Sequence, residues 1–141
     1  MGGFLLDTNV LSELMRPKPA IKVQNWFGLQ QNAAYFVSAI TRAEILLGIA
    51  LLPSGKRRDS LASAAEQMFN EDFAGRTLPF DGTCAAEYAL LVAERTRRGH
   101  PISTEDGQIA ATALSHDLSL ATRNVKDFKG IHGLTVLDPR V

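Results

Sequence analysis

The chain has little cysteine and no excess of charge of either sign. Cys84 is its single cysteine, which excludes an internal disulfide and a cluster of thiolate metal ligands. Lys and Arg together number 15, and Asp and Glu also number 15, so no net charge remains at pH 7. Any binding of nucleic acid must therefore depend on a local basic patch, because the overall field provides no attraction.

Long hydrophobic stretches are also missing. No apolar run approaches the roughly 20 residues that a membrane-spanning helix needs. The N-terminal residues reach Asp7 without the basic region and apolar stretch that mark a secretory signal peptide. Together with the lone cysteine, these features predict a cytoplasmic protein that does not associate with membranes.

The chain does contain enough apolar material for one compact domain. It has 141 residues, of which 45% are hydrophobic and 21% are charged. These proportions are typical of a globular domain and argue against disorder. Because no repeat, low-complexity tract or linker divides the sequence, we expect a single domain over residues 1–141.

Short apolar runs alternate along the chain with segments of helical period. This alternation predicts an α/β domain in three layers, with a mainly parallel sheet of about five strands. Pro79 marks the segment around it as an edge strand. The predicted strands are 4–6, 34–38, 76–80, 118–122 and 134–137, and the predicted helices are 9–15, 21–29, 41–52, 56–70 and two alanine-rich helices with apolar faces at 85–93 and 109–114.

Three acids stand where parallel strands end or helices begin. Asp7 follows the first strand, and Glu44 and Asp106 lie in the first turns of helices. Clustered carboxylates repel one another unless a cation lies among them, and such oxygen ligands suit Mg²⁺ or Mn²⁺. Helix starts also attract acids as caps, and both Thr41 to Glu44 and Ser103 to Asp106 have the spacing of a capping box. The local pattern therefore favours function most clearly for Asp7, which is costly to bury without a partner.

Four short motifs occur in a fixed order along nearly the whole chain. Each is weak alone, but four in order at matching spacing are specific. With them the chain resembles the PIN-domain family, in particular the VapC and FitB type toxins of bacterial toxin–antitoxin pairs. The motifs are LLDTNVLS at 5–12, SAITRAEILLG at 38–48, DGQIAATA at 106–113 and ATRNVKDF at 121–128.

The resemblance implies a metal site in a PIN-like fold. It makes Asp7 and Asp106 the main ligands of Mg²⁺, with Mn²⁺ as an alternative, and Glu44 the third acid. Many members of the family have a fourth acid where this chain has Asn124. An amide oxygen can contact water or metal but holds no negative charge, so Asn124 is expected in the catalytic set while a second metal is in doubt. Asp127 is expected to begin a short turn.

Residues beside these acids are expected to contact the substrate. A guanidinium can grip phosphate oxygens in a bidentate manner, which favours the two arginines nearest the motif acids. The basic clusters at 56–58 and 95–100 are equally explained as solvated helix ends. The expected substrate contacts are Thr8, Asn9, Arg42, Thr122 and Arg123, and His100, His116 and His132 are expected to be solvated surface groups.

The resemblance also implies an activity and partners. The activity is hydrolysis of RNA phosphodiester bonds by a metal-activated water, without a covalent intermediate. The partners are a second copy of the chain and a small antitoxin that blocks the acidic groove, with DNA bound only through the antitoxin. An apolar groove for an antitoxin helix is one explanation of Trp26, Phe27 and the helix from Glu44 to Leu52, and packing in the core explains the same residues at least as well.

Two other classes of protein remain as alternatives. The first is a PIN-like module without catalytic activity, which Asn124 supports. The second is another Mg²⁺-dependent α/β domain, a phosphoryl-accepting receiver or a haloacid-dehalogenase-like phosphatase. Both of these fit poorly, because Asn9 takes the place of the second acid in Asp-x-Asp and Ser38-Ala39 follows the second strand.

Overall fold

The computed structural model describes residues 3–30 and 33–141, which contain a five-stranded sheet. Every neighbouring pair of strands is parallel, which confirms the α/β fold. The strand that Pro79 marks lies at one edge, as expected. The strands are β1 (Gly3–Leu6), β2 (Ala34–Ser38), β3 (Thr77–Leu78), β4 (Ser119–Ala121) and β5 (Val136–Leu137), in the order β3-β2-β1-β4-β5.

Helices follow the strands over most of their predicted ranges. A π-helical turn, Met68–Asp72, continues the fourth helix. None of the helices within the described residues is long and apolar enough to cross a membrane. The helices are α1 (Thr8–Leu14), α2 (Ile21–Leu29), α3 (Ala39–Ala50), α4 (Lys56–Gln67), α5 (Gly82–Arg97), α6 (Thr104–Ser115) and α7 (Val125–Phe128).

The cap of α3 differs from the sequence-based expectation. Ser38 is the N-cap, and its hydroxyl accepts a hydrogen bond from the backbone N–H of Thr41 at 3.0 Å. The predicted capping box that begins at Thr41 is therefore wrong. Thr41 lies inside the helix and is fully buried. The last residue of β2 caps the helix because strand and helix follow each other without a loop.

The sheet has a hydrophobic cluster on each face. Along β1, Phe4 and Leu6 belong to one cluster and Leu5 to the other, as the two-residue period of a strand requires. The first cluster contains buried residues of α1 to α4, and the second contains those of α5 to α7. This arrangement confirms the three-layer architecture.

Trp26 is part of the core and not of an exposed groove. Its ring packs edge-on against Phe4, with 4.9 Å between centroids, and against Phe27, with 4.8 Å. Only 9% of Trp26 is exposed, so the explanation that it lines a partner groove is wrong. Large apolar side chains that are exposed include those of Ile21 and Leu29 on α2 and of Leu46 and Leu47 on α3.

A tight turn at Gly99 ends α5. Gly99 has a φ of 75°, and its N–H donates to the carbonyl of Thr96 at 3.1 Å. The N–H of His100 donates to the carbonyl of Arg95 at 2.9 Å, which completes a Schellman turn. The turn leads to Ser103, the N-cap of α6, and so sets where α6 begins.

Gly99→Ala is expected to lower the free energy of unfolding by about 1 kcal/mol, because alanine is disfavoured at positive φ. A Cβ at Gly99 would lie in open space, so the cost comes from the backbone alone. Urea denaturation measures it. The matched control is Gly48→Ala in α3, also in open space, which should raise stability by roughly 0.5–1 kcal/mol. A shift of both variants in the same direction would contradict the role given to the turn.

Candidate active site

The site lies where β1 and β4 run side by side. After β1 the next strand in the chain, β2, lies on one side of this pair, and after β4 the next strand, β5, lies on the other side. The connections therefore leave β1 and β4 in opposite directions, and a crevice opens at the carboxyl ends of these two strands. Leu6 pairs with Ala121 in the register of these strands, and the N–H of Asp7 donates to the carbonyl of Ala121 at 2.9 Å. Asp7 and Thr122 therefore leave their strands next to each other.

Asp7 is buried and held by hydrogen bonds to both carboxylate oxygens. The Thr122 hydroxyl donates to Oδ2 at 2.7 Å, and the backbone N–H of Thr8 donates to Oδ1 at 2.8 Å. Asn9 joins the two segments, since its Nδ2 lies 3.3 Å from the Thr122 hydroxyl and its Oδ1 accepts from the N–H of Arg123 at 3.1 Å. Only 4% of Asp7 is exposed, so these contacts fix its direction.

Glu44 is connected to Asp7 through Thr8. The Thr8 hydroxyl donates to Oε1 of Glu44 at 2.7 Å and lies 3.2 Å from the hydroxyl of Thr41. Since Ser38 supplies the cap of α3, the capping interpretation of Glu44 is wrong. One residue thus holds two acids, Asp7 by its backbone and Glu44 by its side chain.

Asp106 lies in the first turn of α6 and is half-buried. Its backbone N–H donates to the Ser103 hydroxyl at 3.2 Å, so Ser103 is the cap that the sequence predicts. The next residue, Gly107, packs against α5, where a Cβ would lie 2.9 Å from Cε1 of Tyr88 and 3.0 Å from Cγ2 of Val92. The absence of a side chain at Gly107 therefore allows the start of α6 to approach α5 closely.

The three acids share an unfavourable electrostatic environment. Burial is the main cause that raises the pKa of each of them. The charges of Asp7, Asp127 and Glu105 also raise the pKa of Asp106, and those of Glu105 and Asp7 raise the pKa of Glu44. Hydrogen bonds from Thr122 and Thr8 only partly offset the effect of burial at Asp7. The charge of Asp7 thus acts on both Glu44 and Asp106, and like charges disfavour the ionised forms of these acids.

Asp127 affects two acids of this site through its charge, although its position in the sequence predicts only a turn residue. Its negative charge raises the pKa of Asp7 and of Asp106. Asn124, at the position expected to carry the fourth acid, donates its backbone N–H to the Thr122 hydroxyl at 3.0 Å. The prediction that Asp127 begins the short turn is wrong, because α7 begins at Val125 and Asp127 lies inside it. Its three-residue spacing from Asn124, one turn of α7, is the signal that could have identified it.

Comparison with known proteins identifies the family. The profile of the PIN domain matches residues 4–133. The chain belongs to the PIN domain family. It is 45% identical over 124 residues to Toxin FitB of Neisseria gonorrhoeae, covering 88% of this chain and 89% of that protein.

Two further similarities extend over almost the whole PIN domain. The chain is 40% identical over 135 residues to VapC ribonuclease Y4jK of Sinorhizobium fredii, and the match covers 96% of each protein. The solved structure of FitAB bound to an IR36 DNA fragment superposes with a TM-score of 0.86 at 41% identity, covering 98% of this chain and 96% of that one. The resemblance inferred from the four motifs is confirmed.

The donors of this PIN domain fit a divalent cation chemically. PIN-domain nucleases generally depend on such an ion, and a site of carboxylate oxygens suits Mg²⁺ or Mn²⁺. Among residues 3–30 and 33–141, no three side chains of the types that bind metals already converge on one point. Thr122 holds the carboxylate of Asp7 and Thr8 holds that of Glu44, and the side chains of Glu44 and Asp106 are both partly exposed. Binding of one ion by all three carboxylates would therefore require these side chains to move.

The two arginines that are expected to contact substrate phosphate lie in different surroundings. Arg42 donates to the Thr77 hydroxyl at 3.1 Å and to Oδ1 of Asn70 at 3.4 Å, and its guanidinium lies 4.9 Å from the centroid of the Phe69 ring. These contacts direct it toward β3 and the π-helical turn. Arg123 is exposed immediately after Thr122. Phosphate contact by either arginine stays a prediction.

The basic clusters are only partly the solvated helix ends that the sequence predicts. Arg97 and Arg98 are exposed at the end of α5. Arg95 is the exception, because only 7% of it is exposed, and its interpretation as a solvated residue is wrong. The three histidines, His100, His116 and His132, are exposed as predicted.

Proposed function

We propose that this PIN domain is a divalent-metal-dependent endoribonuclease and the toxin of a toxin–antitoxin pair. The observation that carries the proposal is the buried carboxylate of Asp7 at the crevice between β1 and β4, where its charge acts on Glu44 and Asp106 and the charge of Asp127 acts on it. A bound cation, shared with a phosphate, would compensate these charges. The names of the similar proteins, Toxin FitB and VapC ribonuclease Y4jK, support the same activity.

Each site residue receives a role in this proposal. Asp7, Asp106 and Glu44 would hold Mg²⁺ or Mn²⁺, which when bound polarises a phosphodiester oxygen and activates water. Thr122 orients Asp7 by donating to Oδ2, and Thr8 orients both Asp7 and Glu44. Asn9, Arg42 and Arg123 are proposed to contact the RNA.

Asp127 is proposed as the fourth carboxylate of the site. Its charge acts on Asp7 and Asp106, and its exposed Oδ atoms can accept a proton from the attacking water. Asn124 is proposed to assist through its amide oxygen, which can only accept a hydrogen bond from that water. The water oxygen would bond to phosphorus as the P–O bond to the leaving ribose oxygen breaks, and that oxygen would take up a proton from solvent, so no covalent enzyme intermediate forms.

The proposed partners follow from the same relationships. We propose a homodimer that assembles further with a small antitoxin, in a cytoplasmic setting. The exposed Leu46 and Leu47 of α3 are apolar side chains that such a partner can cover. The FitAB structure is bound to DNA, and for this chain we propose that DNA binds only through the antitoxin.

Asp127 and Asn124 are expected to differ in their effects on metal binding. Asp127→Asn should weaken Mn²⁺ binding about tenfold, because it removes a negative charge beside the ion. Asn124→Ala removes no charge and should change the affinity by less than about threefold. Titration calorimetry with Mn²⁺ measures both. If Asn124→Ala weakened Mn²⁺ binding more than Asp127→Asn does, Asn124 and not Asp127 would be the fourth ligand residue of the site.

Cleavage of a mixed RNA pool tests the proposed activity. The purified chain, freed of any bound antitoxin, should cut RNA with Mg²⁺ or Mn²⁺ and not with EDTA. Asp106→Asn should abolish cleavage, whereas Glu66→Gln, at an exposed acid of α4, should not. If the folded wild-type chain cuts no RNA under any of these conditions, the module without catalytic activity becomes the better account.

A further inference from the structure

Arg95 is a buried arginine that binds carbonyl oxygens. Its Nε donates to the carbonyl of His100 at 2.8 Å, its Nη2 to that of Asp127 at 3.2 Å and its Nη1 to that of Lys129 at 3.3 Å. None of the ion pairs within the described part of the chain includes it. A buried guanidinium is costly unless its donors are satisfied, so these three bonds are what makes its burial tolerable.

The three carbonyls belong to the two segments that carry acids of the site. His100 lies in the turn that leads to α6 and Asp106, and its N–H also donates to the carbonyl of Arg95. Asp127 and Lys129 belong to α7 and its C-cap. Arg95 therefore joins the turn before Asp106 to the segment that carries Asp127.

The position of α7 needs such a connection. The helix has four residues, which is too short to be stable alone. The negative charge of Asp127 also raises the pKa of Asp7 and of Asp106, so like charges disfavour this position of Asp127 while the acids are ionised. The buried Phe128 anchors the helix in the core, and the backbone N–H of Asn124 at its N-cap donates to the Thr122 hydroxyl at 3.0 Å, so the contacts of Arg95 are the ones that hold the backbone at Asp127 and Lys129.

We propose that Arg95 is a positioning residue that holds the carboxylate of Asp127 at the metal site. The inference rests on the proposed function, since it assigns Asp127 to that site. The guanidinium donates to the backbone carbonyl of Asp127 and not to its side chain, so the carboxylate stays available to the ion. A lysine keeps the charge of Arg95 but cannot reproduce its planar set of donors to three carbonyls.

Arg95→Lys is expected to weaken Mn²⁺ binding about tenfold, as the loss of an outer-shell contact commonly does. The decisive comparison repeats Arg95→Lys in the Asp127→Asn background, where it should change the affinity by less than about twofold. A merely structural role predicts the same loss in both backgrounds, and that result would overturn the proposal. Arg98→Lys is the matched control, because Arg98 is exposed at the same helix end and donates to the carbonyl of Gly130 at 3.1 Å.

A measurement on protein that keeps Arg95 guards against a variant that does not fold. Addition of Mg²⁺ should shift the Nε–H proton resonance of Arg95 in the wild type and leave it unshifted in Asp127→Asn. An unshifted wild type, or equal shifts in the two proteins, would contradict the proposal. If the wild type binds Mn²⁺ and cuts RNA, and Arg95→Lys binds Mn²⁺ as tightly as the wild type, only the role of Arg95 is refuted. If the wild type does neither, the proposed function fails as well.

Discussion

Asp7→Asn is expected to lower the rate of RNA cleavage by about a thousandfold, which corresponds to roughly 4 kcal/mol of lost transition-state stabilisation. The amide cannot provide the negative charge that the ion requires. Its single oxygen can accept from the backbone N–H of Thr8, while its NH2 group donates to the Thr122 hydroxyl, which can reverse its hydrogen bond, so the packing around the crevice should persist. Single-turnover cleavage at saturating Mg²⁺ measures the effect.

The stability of the same variant separates lost chemistry from lost folding. In EDTA at neutral pH, Asp7→Asn should be at least as stable as the wild type, because it removes a charge whose pKa burial has raised. The matched control is Asp72→Asn, an exposed acid of the π-helical turn, which should retain activity. A folded Asp7→Asn protein with more than about a tenth of wild-type activity would remove Asp7 from the site.

Mg²⁺ is expected to stabilise the fold only as the pH rises. Burial raises the pKa of Asp7, Glu44 and Asp106, so the metal-free folded chain keeps their protons to higher pH than the unfolded chain. Their contribution to stability is fully present below the unfolded pKa values and is lost as the pH rises through the folded values. The ion binds the deprotonated carboxylates and restores stability above that range, by about 2.7 kcal/mol at a hundred times its Kd.

Thermal unfolding from about pH 4 to about pH 8, with and without Mg²⁺, tests this linkage. Hydrogen bonds lower the pKa of Glu13, Asp81 and Asp138. The stability that these three groups contribute is therefore lost as the pH falls, opposite to that of the three site acids. The Asp7→Asn profile should therefore be subtracted from that of the wild type. Stabilisation by Mg²⁺ of equal size across the whole range would show that the ion binds elsewhere.

The elements of the fold were predictable where a single local signal determines them. The predicted bounds of α2 and β2 agree with the structure because clear apolar runs end at proline or polar residues. The burial of Asp7 was also predictable, since its position at the end of a buried strand is a property of that segment alone. The edge position of β3 followed from Pro79.

The remaining features depend on contacts between distant segments. Ser38 and Thr41 are equally able to cap a helix, and the end of β2 decides between them. Arg95 is one of three arginines at the end of α5, and only the packing of α7 against that end selects it for burial. The charge of Asp127 acts on Asp7, and the pairing of β4 with β1 is what brings their segments near each other.

The most direct test of the central claim is a titration of Mn²⁺ into the purified chain, with metal occupancy and RNA cleavage followed in the same sample. Cleavage should rise in proportion to occupancy of the site, and both should be lost in Asp7→Asn. Cleavage in the presence of EDTA, or a fully occupied site without cleavage, would contradict the account.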